Sequence, residues 1–153
     1  MARPNERKNF DRRENNSEGH DVKWDLSVRD LLHLRSWAFK KTYRTLCKIS
    51  PTEWRFEMQL PEVRDDGACS LKVLLERTDS LNVELEASIW IDFRDTSKNL
   101  IFPKQTFTKS GMLPGDSIQE TVQITPRPNM RDAIHRDAVV FVVIMISLCH
   151  SDE

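Results

Sequence analysis

The sequence contains little cysteine and lacks the commonest nucleotide-binding patterns. There are three cysteines, an odd number with no C-x-x-C spacing: Cys47, Cys69 and Cys149. This arrangement argues against a disulfide framework and against a zinc site, and it suits a reducing compartment. Neither a P-loop nor a G-x-G-x-x-G pattern is present, so no phosphate-binding glycine loop is predicted.

Positive and negative charges are nearly balanced, and no apolar stretch is long. The chain has 23 Lys and Arg against 24 Asp and Glu, a net charge of −1. No field of the whole protein therefore recruits nucleic acid or an anionic membrane. The longest apolar stretch is far shorter than the about 20 residues that a bilayer needs. No apolar segment follows Met1, so no secretory signal is predicted, and we expect a cytoplasmic or nuclear protein.

Catalytic and metal-binding patterns are also missing. The histidines show no i, i+4 pair and no neighbouring Cys or acid arranged for a metal: His20, His33, His135 and His150. A nucleophilic pair of Cys149 with His135 or His150 needs an activated thiol, whereas cysteines more often behave as small buried apolar residues. No G-x-S-x-G elbow is present. We predict a protein that is not an enzyme and holds no cofactor or metal.

The most informative stretch is residues 138–148, AVVFVVIMISL. Ten of these eleven residues are apolar and most are β-branched, which favours a strand. Both alternating faces are apolar. This pattern predicts a strand in the interior of a sheet, with cover on both faces.

Shorter segments that alternate apolar and polar residues predict further strands. The clearest is residues 54–60, where Trp54, Phe56, Met58 and Leu60 alternate with polar residues. The remaining predicted elements are strands at 22–28, 69–76, 83–93 and 118–124, an irregular strand at 100–107, a basic and aromatic element at 35–48, and short helical turns near 28–36 and 129–132. Eight strands with almost no helix predict an all-β fold, an eight-stranded antiparallel β-sandwich with one or two short helical turns.

The two ends of the chain differ from its middle. Residues 1–21 mix charges of both signs with Asn, Ser and Gly, a composition typical of disorder, and show no heptad repeat. We predict a flexible tail at 1–21, one domain at 22–149, and a short tail at 150–153.

Several motifs, in order, resemble those of the MATH (meprin and TRAF homology, TRAF-like) domain. They are Val22-Lys-Trp24, Trp54-Arg-Phe-Glu-Met-Gln-Leu-Pro61, Ser70-Leu-Lys-Val-Leu-Leu75, Leu85-Glu-Ala-Ser-Ile-Trp-Ile91 and Asp137-Ala-Val-Val-Phe141. The resemblance runs from about Val22 to Leu148. It implies an eight-stranded β-sandwich without catalytic residues, which binds a short extended peptide along an edge strand and a shallow groove. We therefore expect an adaptor whose partner is a protein or a short peptide.

The resemblance also implies positions for the groove. In members that recruit substrates for ubiquitination, aromatic residues occupy the positions that are here Lys72, Ile89, Gln105, Asp116 and Ile118. None of the five is aromatic, and Asp116-Ser-Ile118 replaces a W-G-F-like segment of the family. The resemblance therefore implies the fold of the family without its familiar peptide specificity.

Trp90 is a further candidate for partner binding. Strict alternation turns it away from the apolar face of its strand, onto a face that also holds Ser88 and Asp92. A large aromatic residue with a polar rim has the composition of an interface hot spot. The alternative is that another segment, such as the Trp37–Phe39 region, covers Trp90 within the domain.

The basic element at 35–48 indicates a second candidate surface. It carries five cations and no acid: Arg35, Lys40, Lys41, Arg44 and Lys48. With Trp37, Phe39 and Tyr43 interleaved, these residues could form a stacking and phosphate-contacting surface for nucleic acid or an acidic partner. The alternative, which the low net charge favours, is that the aromatic residues are core anchors and the cations a solvated face.

Overall fold

A computed structural model of the protein describes residues 6–15, 19–28, 37–45, 51–60, 64, 66–135 and 137–147. These residues form nine strands and one short 3-10 helix. The strands are β1 Glu6–Asn15, β2 Gly19–Val28, β3 Trp37–Arg44, β4 Glu53–Leu60, β5 Cys69–Arg77, β6 Leu85–Asp95, β7 Gln105–Met112, β8 Ser117–Ile124 and β9 Ala138–Ser147. The 3-10 helix spans Pro128–His135, with a kink at Met130, where a helical turn was predicted.

The strands form two antiparallel sheets. One has five strands in the order β1-β2-β9-β6-β7, and the other has four in the order β3-β4-β5-β8. The inward faces of both sheets contribute to one hydrophobic core. The predicted all-β sandwich is therefore confirmed, and the eight predicted strands correspond to β2 through β9.

An aromatic cluster joins the two sheets. Trp24 of β2 stacks on Phe56 of β4, with ring centroids 5.7 Å apart. Phe39 of β3 meets the edge of Trp24 at 5.3 Å. All three side chains are buried. Aromatic contacts of this kind contribute about 0.5–1.5 kcal/mol each beyond the area they bury, so the cluster helps to fix how the sheets face each other.

Strand β9 is the central strand of its sheet, as its doubly apolar sequence predicts. Its inward residues Val140, Val142 and Ile144 are fully buried. Its outward residues are only half-buried: Val139, Phe141, Val143 and Met145. The prediction of cover on both faces is correct for the inner face alone, because every described strand lies in one of the two sheets and none packs over this outer face.

The range predicted as a flexible tail contains a strand. Within residues 1–21, the structure has strand β1, which pairs with β2 along its whole length from Glu6 opposite Val28 to Asn15 opposite Gly19. Composition does not exclude such a strand, because main-chain hydrogen bonds to the edge of a sheet need no apolar side chains. The other tail, at 150–153, lies outside the described residues.

Strand β7 also differs from its prediction at 100–107. Ile101 and Phe102 are fully buried without belonging to a strand. Pro103 has no N–H to donate, and the ladder with β6 starts after it at Gln105. The strand then continues to Met112, five residues beyond the predicted end at 107, and a turn at 113–116 follows. A helical turn was predicted near 28–36. Residue 28 is the last residue of β2, and the rest of this range lies outside the described residues.

Candidate functional site

Strands β7 and β8 are the edge strands of opposite sheets, and they lie beside each other. Among the described strands, β7 pairs only with β6, and β8 pairs only with β5. The turn 113–116 connects them, and the Lys109 ammonium donates to the carbonyl oxygen of Ser117 at 3.1 Å. A groove of about 800 Å³ runs between the two strands. We call it the β7–β8 groove.

Inward-directed side chains of the two edge strands give the groove an apolar floor at Phe107 and a charged rim at Lys109 and Glu120. Phe107 and Lys109 of β7, and Glu120 and Val122 of β8, each pair with a buried residue of the neighbouring strand. Phe107 and Val122 are nevertheless only half-buried, while Lys109 and Glu120 are exposed. Ile118, which is 4% exposed, closes the floor against the core. The sandwich is therefore open along this side.

The outer edge of β7 has unpaired backbone groups. Because β7 has a neighbour on one side only, about half of its N–H and C=O groups point away from the sheet. The one-to-one ladder with β6 covers residues 105–109, and a register shift follows between Leu85 and Ala87 of β6. Gly111 has a φ of 67°, which glycine adopts without strain. The regular edge is therefore five residues long and ends in an irregular segment.

The turn between β7 and β8 is held by its own hydrogen bonds. The carboxylate of Asp116 accepts from the N–H of Leu113 at 2.9 Å. The N–H of Asp116 donates to the Leu113 carbonyl at 2.9 Å, and the N–H of Gly115 donates to the Arg77 carbonyl at 2.9 Å. These contacts fix the closed end of the groove, and they occupy the Asp116 side chain in the turn.

The predicted groove residues do not form one surface. Gln105 is half-buried at the start of β7, where its side-chain amide donates to the Pro103 carbonyl at 3.1 Å. Gln105, Asp116 and Ile118 lie at or beside the β7–β8 groove. Lys72 is exposed on the outer face of the four-stranded sheet, beside a separate depression. Ile89 was expected to line the groove, but this inward residue of β6 is fully buried.

Trp90 is exposed. It lies between Thr106 of β7 and Val143 of β9 on the outer face of the five-stranded sheet, and 49% of its surface is accessible. Phe39 does not cover it, because Phe39 is buried in the core. Of the two interpretations of Trp90, the structure supports the exposed one.

The basic element forms strand β3, and its described aromatic residues face the core. Phe39 is 2% exposed and Tyr43 is 7% exposed, whereas Lys40, Lys41 and Arg44 are exposed. The guanidinium of Arg44 lies 3.0 Å from the carboxylate of Glu53. Arg35, Lys48 and the side chain of Trp37 lie outside the described residues. Phe39 and Tyr43 are therefore core anchors and offer no stacking surface for bases.

Possible reactive groups among the described residues include metal-binding side chains and one cysteine, Cys69. No group of three or more His, Cys, Asp or Glu among them could hold a metal ion. Burial raises the pKa of the Cys69 thiol to about 12, so the thiolate needed for nucleophilic attack is scarce at neutral pH. Cys149, His150 and the side chain of His135 lie outside the described residues.

Phe107, Lys109 and Glu120 line the groove but were not predicted as groove residues from the sequence. One signal was present: Glu120 interrupts the apolar alternation of Ile118, Val122 and Ile124. A charge in an inward position marks an edge strand or an opening of the core. The partner strand could not be recognised, because β7 begins five residues later than predicted.

Comparison with known proteins identifies no family. No protein-family model matches the sequence. No curated protein sequence matches it at a significant level. Within the described part of the chain, no helix is long and apolar enough to cross a membrane. What the chain binds must therefore be inferred from its own surfaces.

Proposed function

We propose that this protein is a non-catalytic interaction module that binds an extended segment of a partner protein along the free edge of β7. The observation that carries the proposal is the placement of this edge beside the β7–β8 groove. Peptides that add a strand to a sheet use these two features together. Main-chain hydrogen bonds supply affinity, and pockets for alternate side chains supply specificity.

The resemblance to MATH domains supports the same use of this edge. Members of that family are expected to hold an extended peptide along an edge strand and a shallow groove. The eight strands β2 to β9 agree in number with the sandwich of the family. The residues of the groove differ from an aromatic-lined site, because Phe107 is the only aromatic residue among those that line it. The ligand is therefore a peptide of different sequence.

The groove indicates the chemistry of the bound segment. Its apolar floor at Phe107 fits an aliphatic side chain that points inward from the peptide. Lys109 lies at the turn end of the groove, where it contacts Ser117, and it can pair with an acidic side chain of the peptide. Glu120 can pair with a basic one. We expect a segment of about five residues, the length of the regular β7 edge, with one central aliphatic residue and charges of both signs.

Inward-pointing charges can also protect a sheet edge, and the experiment must distinguish this role from peptide binding. Lys and Glu at the edge of a sheet discourage pairing with a second sheet. If Lys109 and Glu120 only protect the edge, no peptide will depend on them. Apolar replacements will then promote aggregation without changing any specific affinity.

A display selection tests the proposal directly. Random twelve-residue peptides are selected against the purified chain, and the affinities of enriched peptides are measured by fluorescence anisotropy. Lys109→Glu and Glu120→Lys change exposed side chains, so both variants should fold normally. Each should weaken the selected peptides at least about tenfold, the equivalent of about 1.4 kcal/mol.

The matched control is Lys72→Glu, an equal change of charge on the outer face of the other sheet. This variant should bind the selected peptides like the parent protein. The proposal fails if no peptide is enriched. It also fails if the enriched peptides bind the Lys109 and Glu120 variants with unchanged affinity.

A further inference from the structure

The outer face of the five-stranded sheet carries an apolar stripe with no described strand over it. The stripe runs along β9 through Val139, Phe141, Val143 and Met145, and Trp90 of β6 lies beside Val143. Outer faces of antiparallel sandwiches are normally polar. The outer face of the four-stranded sheet follows this rule, since its positions include Arg55, Glu57, Lys72 and Glu76. The stripe thus has the composition of a contact surface.

Charged side chains flank the stripe in a pattern set by the strand register. In one row across the sheet, Lys23 of β2 lies beside Val143, and Trp90 follows on the other side. In the next row, Asp25 lies beside Phe141, with Asp92 on the other side. A shallow cavity of about 480 Å³ lies along these rows. Lys23 and Asp25 therefore place one cation and one anion two residues apart on β2, beside the apolar stripe.

The acid on the β6 side is already paired, whereas the two charges on the β2 side have no ion-pair partner among the described side chains. Arg94 lies 3.0 Å from the carboxylate of Asp92 and also donates to the carbonyl of Lys98 at 2.8 Å. Among the described residues, neither Lys23 nor Asp25 takes part in an ion pair. Both are half-buried beside the apolar stripe, where an added partner would strengthen their interaction by excluding water.

We propose that this face binds a second copy of the chain. The two-fold axis lies in the interface and runs perpendicular to the strands, between the row of Val143 and the row of Phe141. Lys23 then faces Asp25 of the second copy, and Phe141 faces Val143 of the second copy. Because a two-fold contact is self-complementary, each of these pairs forms twice. The apolar stripes cover each other at the about 10 Å spacing at which sheets pack in a sandwich.

The charge pattern selects this axis over the other simple two-fold arrangement. An axis parallel to β9 would place Asp25 against Asp92 of the second copy. Like charges brought together in an interface disfavour association, and here the repulsion would occur twice. The axis across the strands avoids this repulsion, because it places each Asp92 opposite the row of Trp90 of the second copy.

The assembly leaves the β7–β8 groove open. The stripe lies over β9, with β2 and β6 on either side, whereas the groove follows the outer edge of β7. A dimer would therefore present two peptide sites and bind a partner with two copies of the recognised segment more tightly than a single site does. The dimer does not depend on the proposed peptide binding, and each can fail without the other.

Charge-swapped variants of the whole chain test the dimer by sedimentation equilibrium. The parent protein should show a concentration-dependent mass that approaches that of two chains. Lys23→Asp and Asp25→Lys each place like charges opposite each other, so each variant alone should dissociate at least about tenfold more readily. An equimolar mixture of the two variants should associate again, because the two acids of one chain then face the two lysines of the other. The double variant should also dimerise.

Two further variants serve as controls. Lys72→Asp, on the outer face of the other sheet, should dimerise like the parent protein. Trp90→Ser should weaken the dimer while the unfolding midpoint of the monomer stays within a few degrees. A parent protein that stays monomeric at the highest soluble concentration overturns the proposal. So does a dimer that both single variants leave unchanged, or a pair of weakened variants whose mixture does not associate.

Discussion

The guanidinium of Arg77 lies 3.1 Å from the carboxylate of Asp79, and no part of the Arg77 side chain reaches solvent. Its remaining N–H groups donate to the carbonyl oxygens of Leu81 at 2.6 Å, Met112 at 2.7 Å, and Val83. One buried cation therefore joins the end of β5 to the segment before β6 and to the end of β7. Main-chain hydrogen bonds from the same residue hold the turn 113–116, so Arg77 positions the closed end of the β7–β8 groove.

Replacing this cation should destabilise the protein strongly. Arg77→Met keeps much of the side-chain volume but removes the buried cation. Among the described residues, the carboxylate of Asp79 then keeps only the N–H groups of Glu53 and Leu81 as donors, and three carbonyl oxygens lose the guanidinium. Breaking a buried pair in this way costs about 3–5 kcal/mol. Urea unfolding measures the loss. The control is Arg44→Gln, which removes the exposed pair with Glu53 and should cost about 0–1 kcal/mol. A similar small loss for both variants would contradict the structural role of Arg77.

The same pair should make stability depend on acid. Burial opposes ionisation of Asp79, but hydrogen bonds from Arg77 and from the N–H groups of Glu53 and Leu81 outweigh it and lower the pKa below its ordinary value of 3.8. A lowered pKa stabilises the folded state above the unfolded pKa, and this contribution is lost as the pH falls through the folded pKa. Compared with Asp79→Asn, the parent should be more stable near neutral pH, and the difference should shrink below 3.8. A difference that is constant with pH would contradict this assignment.

Neighbouring residues of β9 should respond differently to the same substitution. Val142 is fully buried, so Val142→Asp places an unpaired charge in the core and should cost about 4 kcal/mol or more, enough to unfold a marginal domain. Val143 lies on the outer face and is half-buried. Val143→Asp should cost about 1 kcal/mol, mainly through lower strand propensity. Urea unfolding of both variants in dilute solution measures the contrast, and equal losses would mean that the two faces are assigned wrongly.

Cys69 should be unreactive until the domain unfolds. Burial raises the pKa of its thiol from 9.0 to about 12, which lowers the thiolate fraction at a given pH about a thousandfold. Alkylation with iodoacetamide, followed by peptide mapping, should leave Cys69 unmodified in the native protein. The same residue should be labelled rapidly in denaturant. Fast labelling of the native chain would show that this end of β5 opens.

Local patterns were sufficient to predict most of the fold. Alternation identified β4, where Trp54, Phe56, Met58 and Leu60 are all fully buried. The doubly apolar sequence of β9 predicted its central place in a sheet. Alternation could not say which strands become neighbours, because pairing joins residues that are distant in sequence. It therefore could not show that none of the described strands covers the outer face of β9.

The candidate site was less accessible to prediction for a physical reason. The β7–β8 groove forms between edge strands of two different sheets, and its floor at Phe107 and Ile118 is recognisable only when both strands are placed. Strand β1 was missed because it pairs through main-chain groups, which residue composition does not report. The burial of Arg77 likewise depends on carbonyl oxygens from other segments of the chain.

Amide mapping of a peptide complex shows directly whether a peptide binds along the edge of β7. Backbone amides of the isotopically labelled chain are followed by NMR and by hydrogen exchange while a peptide from the display selection is added. We expect new exchange protection at the outward-facing amides of residues 105–109, together with chemical-shift changes in residues 117–122. The outer faces of the two sheets should change little. Protection confined to β3 or to the outer face around Trp90, with β7 unaffected, would contradict the proposed peptide binding.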